Sequence, residues 1–296
     1  MENAPIELYM AAQASQKSGR WTSTDRGARL CRLFALCLLL NAPALVAQTP
    51  DPLVLLVQPA ISADRAAQSF RPLADLIGAA AGRPCVIQTT DNFFTYWGMV
   101  RAPGNYDLVL DAAHFTDYRV QKLGFHVLAK APEAEGYSLV VAKNRSVIDP
   151  IELAGKRIAT LGAPSLGAVQ LSAMFPNPAR QPVLVEVSRA EEGLEQILAG
   201  RVDAAMLPAG LAGRYIAQGA GIVLVTSTEP IPDVALSAAD RLDPQLRARI
   251  RNALLDADRS PQGKSLLQAT GIPRFEPATS DTYANQANLL KQYWGF

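Results

Sequence analysis

The sequence predicts an α/β fold with parallel strands, laid out as two lobes. Three observations predict it. Short apolar runs and helical patterns alternate from Leu53 onward. The alternation restarts at Tyr137. The stretch after Pro230-Ile231-Pro232 is too helical to build a third strand–helix set, so it returns to the first lobe.

Each element has its own signal. Leu53 to Val57 (L-V-L-L-V) is a continuous apolar run, as a strand buried on both faces requires. Ser62-Ala63-Asp64 can cap a helix carrying Ala66, Phe70, Leu73, Leu76 and Ile77 on one face. Strands are expected over 84–87, 106–110 and 125–129, with helices over 92–100 and 114–123 between them. Gly124 ends the second of these helices. The second set has strands over 137–142, 157–161, 183–187, 202–206 and 222–226. Its helical pieces are a turn at 149–153 with Pro150 at its first position, a helix from Leu166 and one over 189–198. A strand over 235–237, helices over 243–256 and 260–270 and an amphipathic tail over 283–294 complete the chain. A cleft between two such lobes, at the C-terminal ends of their strands, is the natural place for a ligand.

The N-terminus reads differently. Arg26, Arg29 and Arg32 precede an apolar run over 33–40, then Ala42-Pro43-Ala44 and Ala47-Gln48. Positive start, short apolar centre and small-residue exit describe a secretory signal cut near Ala44 or Ala47. The apolar run is too short to span a membrane. Residues 1–25 read as an over-long start, so 1–47 stand outside the fold and the mature protein resides in the periplasm. These 47 residues hold five of the 28 basic and three of the 27 acidic residues, which leaves 23 against 24, a net charge of −1. Such a balance argues against nucleic acid as a partner. Cys31 and Cys37 leave with the signal, so Cys85 stands alone and no internal disulfide is possible. It is expected as a buried apolar side chain. No His/Cys/Asp cluster has metal-ligand spacing, and neither a Walker loop nor a dinucleotide fingerprint occurs, so no cofactor is expected.

The stretch A-T-L-G-A-P-S-L-G-A-V-Q, 159–170, is a strand, a Gly/Pro/Ser turn and a helix start. As a hydrolase elbow it lacks the first Gly of Gly-x-Ser-x-Gly. Its base would also have to come from His114 or His126, both of which precede Ser165. As an anion site it needs less: the backbone N–H groups of Leu166 and Gly167, the Ser165 hydroxyl and the helix N-terminus. Ser165 capping its own helix is the plain alternative. Asp111 and His114 follow the third strand, where site residues collect. Phe93, Phe94, Tyr96 and Trp97 cluster at a helix start facing the expected cleft, about half of them as core. Arg189 is placed to pair with an anion bidentately.

Several stretches, in this order, resemble the periplasmic phosphate/phosphite/phosphonate-binding proteins of ABC importers. They are Asn105-Tyr106-Asp107-Leu108-Val109-Leu110, Gly136-Tyr137-Ser138-Leu139-Val140-Val141 and Ser146-Val147-Ile148. Leu153-Ala154-Gly155-Lys156 and Gly200-Arg201-Val202-Asp203-Ala204 follow, then the C-terminal helices around Gly263-Lys264-Ser265 and Thr270-Gly271-Ile272. The resemblance covers nearly all of 52–296. It implies the type II periplasmic binding protein fold: two α/β lobes joined by two crossover strands, near 137–141 and 223–232, with the ligand cleft between them. Lobe one would take 52–138 plus 230–296, and lobe two 139–229. The implied protein is not an enzyme. It captures a small oxyanion as a monomer, and delivers it to an ABC transporter permease or signals to a sensor histidine kinase.

Three departures bear on the ligand. Where the family's phosphonate binders carry Ser-Thr-Ser-Gly, this chain has Ser165, Leu166, Gly167 and Ala168. The family's pocket Tyr falls on Phe94, with Tyr96 two residues on. Where polar or acidic groups would meet a ligand amine, the chain reads Met206-Leu207-Pro208-Ala209. These point away from an aminoalkyl phosphonate, toward a plain oxyanion or a more apolar ligand. The expected contacts are Phe94, Tyr96, Asp111, His114, Ser165, Leu166, Gly167 and Arg189. The alternatives are a secreted serine-dependent hydrolase using the Ser165 turn, and a sensory module of the same fold with a non-phosphorus ligand.

Overall fold

A computed structural model describes residues 51–102 and 104–294 of the chain, with side chains to Lys291. The signal-like segment and the over-long start, 1–47, lie outside these residues.

The first sheet is built from β1 (Leu53–Val57), β2 (Cys85–Gln88), β3 (Leu108–Asp111), β4 (His126–Lys130) and, from much later in the chain, β12 (Ala235–Ala238). Its order is β2-β1-β3-β12-β4. The second sheet takes β6 (Tyr137–Ala142), β7 (Arg157–Thr160), β8 (Val183–Glu186), β9 (Ala204–Pro208) and β10 (Ile222–Ser227), in the order β10-β6-β9-β7-β8. A short antiparallel ribbon of β5 (Ala134–Glu135) and β11 (Ile231–Pro232) joins the two sheets. This is a two-lobed α/β fold. The apolar run of β1 is buried between helices on both faces, so its Leu and Val side chains are near 0% exposed apart from Val54. Burying each contributes about 1.5–3 kcal/mol.

The helices follow the same logic. They are α1 (Ala63–Ser69), α2 (Arg71–Ala81), α3 (Phe93–Arg101), α4 (Ala113–Leu123), α5 (Leu166–Ala173) and α6 (Ala190–Leu198). After them come α7 (Ala209–Ala217), α8 (Pro244–Leu255), α9 (Pro261–Thr270) and α10 (Asn288–Trp294).

Three details differ from the sequence reading. The helix expected from Ser62 to Ile77 is broken at Phe70 into α1 and α2. Pro72 causes this, since it has no N–H and its ring clashes with the carbonyl one turn earlier. The Ser62 side chain makes no capping bond. Secondly, not all strands are parallel: β12 runs antiparallel to β3 and β4, and β6 antiparallel to β9 and β10. Strands that arrive from the other lobe have no covering helix to turn them round. Thirdly, α7 carried no sequence signal. Gly210 and Gly213 lower its helix propensity, and tertiary packing of Ala212 against the second sheet compensates.

Candidate functional site

The turn at 161–167 stands at the C-terminal end of β7, where it faces the first lobe. Gly162 adopts φ +79°, a conformation that suits glycine. A Cβ there would lie 2.7 Å from the Glu186 carboxyl group, so Glu186 rests directly against the turn. Thr160 Oγ1 accepts from Gly162 N–H at 3.1 Å. Ser165 is 2% exposed, and its hydroxyl oxygen accepts from Ala168 N–H at 3.4 Å, a long capping bond. The N–H groups of Leu166 and Gly167 lie in the first turn of α5, where no helical carbonyl can reach them. Tyr137 closes the turn from one side, and a Cβ on Gly167 would lie 2.8 Å from its ring.

His114 comes from the other lobe. It sits in the first turn of α4, fully buried, with its ring against Phe115 at 3.9 Å between centroids. Its Nε2 is 3.0 Å from the carbonyl oxygen of Pro164. Burial depresses its pKa to about 4, against a smaller opposing pull from the Pro164 carbonyl. The ring is therefore neutral at pH 7, Nε2–H donates to Pro164, and Nδ1 has no partner among the described residues. His114, Ser165, Leu166 and Gly167 are thus brought near one another across the lobes.

Tyr96 and Asp111 meet elsewhere. Tyr96 donates its hydroxyl to Asp111 Oδ2 at 2.6 Å, and both are 0% exposed. Arg119, also buried, clamps the same carboxylate with both guanidinium nitrogens, and Thr116 adds a bond at 3.0 Å. Arg119 then reaches Ser237 on β12 at 3.0 Å. This network ties β3, α3, α4 and β12 together inside the first lobe. Asp111 and Tyr96 are spent within it rather than offered to a ligand. Phe94 is 63% exposed at the start of α3, and Arg189 pairs with Glu195 at 2.7 Å on an exposed face.

The cleft holds groups that the sequence did not announce. A cavity of about 450 Å³ lies between Pro59, Asp91 and Asn92 of the first lobe and Leu161, Glu186, Ser188 and Glu192 of the second. Asp91, Glu186 and Glu192 make this wall acidic. Ser188 donates its N–H and hydroxyl to Glu192 at 3.0 and 2.9 Å and lowers the pKa of that carboxyl group. The signal for Glu186 was its place at the end of a strand. Nothing in the sequence marked Arg119, whose helix also carries Lys122.

Residues 55–283 match a family described as ABC transporter, phosphonate, periplasmic substrate-binding protein. The chain belongs to this family. The binding protein also resembles solved structures at low identity. PhnD1 from Prochlorococcus marinus in complex with methylphosphonate is 15% identical, with 83% of this chain and 100% of that one covered and a TM-score of 0.70. A Xanthomonas citri protein bound to ATP is 16% identical, covering 82% and 97%, at 0.66. The binding component of a Pseudomonas aeruginosa ABC phosphonate transporter is 13% identical, covering 81% and 86%, at 0.61. These likenesses establish the fold, a type II periplasmic binding protein. No curated protein matches the sequence.

Proposed function

We propose that the binding protein closes over a small oxyanion of the phosphonate, phosphite or phosphate type, seated at the 162–167 turn. One observation carries this reading: His114 of one lobe meets the turn of the other at 3.0 Å, beside a helix N-terminus. An anion there would accept from the N–H groups of Leu166 and Gly167, while the His114 Nε2–H, donated to the Pro164 carbonyl, holds the turn in place. It would touch both lobes and so favour the closed state. Under this reading the lobes divide near 138/139 and 229/230.

The acidic wall refines the ligand. Met206 to Ala209 offers no carboxylate for an amine, but Asp91, Glu186 and Glu192 do. An aminoalkyl phosphonate, with its anion on the turn and its ammonium on this wall, suits the cleft better than a bare dianion. The liganded monomer, exported with its signal removed near Ala44 or Ala47, then docks on its importer's permease; a sensor kinase is the second partner class. No catalysis is assigned. The Ser165 hydroxyl caps its own helix and the nearby imidazole bonds Pro164, so no base contacts it among the described residues.

Thermal shift of the chain from Gln48 on tests this, with phosphate, phosphite, methylphosphonate, aminoethylphosphonate and sulfate. A ligand at a hundred times its Kd adds about 2.7 kcal/mol, a shift of several degrees. Ser165→Ala and His114→Gln should weaken every active ligand. Glu186→Gln should weaken aminoethylphosphonate but strengthen methylphosphonate. Affinities unchanged in all three variants would remove the site from this turn.

A further inference from the structure

The C-terminal segment does more than finish the first lobe. Tyr283 is fully buried and donates its hydroxyl to the carbonyl oxygen of Asp233 at 2.8 Å, beside the β5–β11 ribbon. The Ala287 N–H donates to Asp117 Oδ2 of α4 at 2.8 Å, and both residues are buried. The next turn then divides its side chains between the lobes. Leu290 is 0% exposed within the first-lobe cluster of Phe93, Tyr96, Trp97 and Phe115. Its neighbour Leu289 packs on the second-lobe cluster that contains Leu166, Val169 and Phe175. Helix α10 accordingly contacts both α5 and α4.

Other apolar contacts cross the same boundary. Leu161 of the second lobe packs on the first-lobe aromatic cluster, and Ala112 of the first belongs to the second-lobe cluster. These contacts hold the lobes against each other.

We propose that residues 283–291 form a strap that biases the ligand-free protein toward closure. Tyr283 and Asp117 anchor it to the first lobe, and Leu289 grips the second. Consecutive residues on a helix point about 100° apart, so Leu289 and Leu290 can serve different lobes only if the helix lies in the groove between them. The bonds at Tyr283 and Ala287 do not use the groups that would meet an oxyanion. The strap therefore stands or falls independently of the ligand reading.

Small-angle scattering of the ligand-free chain from Gln48 on tests it. A compact chain of this length has a radius of gyration of about 18 Å. The wild type should scatter as the closed form. Leu289→Asp should raise the radius and broaden the distance distribution, while Leu290→Ala should lower the Tm and leave the radius unchanged. If the aspartate prevents folding, Leu289→Ala, which only removes volume, should still raise the radius. A wild type already open, or a folded Leu289 variant with an unchanged profile, would overturn the strap.

Discussion

Asp111→Asn separates a structural carboxylate from a ligand contact. Asp111 is 0% exposed and, among the described residues, is the carboxylate that pairs with Arg119, whose guanidinium is itself fully buried. Asparagine keeps the volume and can still accept from Tyr96 or Thr116, but it removes the charge. Arg119 is then a buried cation without a counter-ion. Breaking such a pair from one side costs about 3–5 kcal/mol, against about 5–15 kcal/mol of total stability for a typical domain. Urea unfolding should therefore show a midpoint lowered by about 1.5 M or more at an unchanged slope, taking a slope of about 2 kcal/mol/M. The double variant with Arg119→Met should recover much of the loss, because neither charge is left unpaired. A variant that loses under 1 kcal/mol of stability yet no longer binds any oxyanion would refute the reasoning and return Asp111 to the ligand.

Other predictions follow from burial. The folded-state pKa of His114 is depressed to about 4, so the stability it contributes is complete above pH 6.5 and is lost as pH falls toward 4. The loss reaches at most about 3 kcal/mol, and His114→Gln should flatten that part of the stability–pH curve. Glu135 has the opposite sign: burial, then the nearby Asp233, raises it to about 7. Its contribution is present below pH 4.5 and lost as pH rises through 7, so Glu135→Gln should be more stable than wild type at pH 8, by up to about 3 kcal/mol, and equal to it near pH 4. Cys85 is buried with its thiol pushed up to about 12, so a thiol reagent at pH 8 should label it only after unfolding. Gly167→Ala should cost about 1–3 kcal/mol in urea unfolding, because the new methyl group meets the Tyr137 ring at 2.8 Å.

Much of the fold could be read from the sequence because the strands are buried on both faces and the helices have one apolar stripe. L-V-L-L-V over Leu53–Val57 admits little else, and Gly124 in the left-handed conformation ends its helix where the residue type says it should. Strand direction was harder. Nothing in A-L-S-A over Ala235–Ala238 reveals that this strand inserts antiparallel between β3 and β4, since the choice is made by contacts more than a hundred residues away. The candidate site was legible where it depends on backbone: a Gly/Pro/Ser turn before a helix. It was not legible where it depends on which partner a charge finds. Asp111 follows a strand as a ligand residue would, but Arg119 two turns later takes its carboxylate. Glu186 and Asp91 lie almost a hundred residues apart and meet only because the lobes close.

The charges of the cleft bear on how tightly the protein can hold its ligand. At the turn an anion would meet backbone dipoles, since Arg189 is engaged with Glu195 and Arg119 with Asp111. Beside these donors stand carboxylates. Two like charges about 5 Å apart interact by about 3 kcal/mol at an effective dielectric constant near 20. A second negative charge on the ligand would therefore add repulsion from Glu186 without meeting a cation, whereas an ammonium group would turn the same distance into attraction. Dipoles hold an anion with less dependence on salt than exposed arginines do, because no exposed ion pair is there to be screened. A site built this way gains selectivity from the acidic wall and leaves part of closure to the chain's own apolar contacts, so the ligand need not provide all of the energy that brings the lobes together.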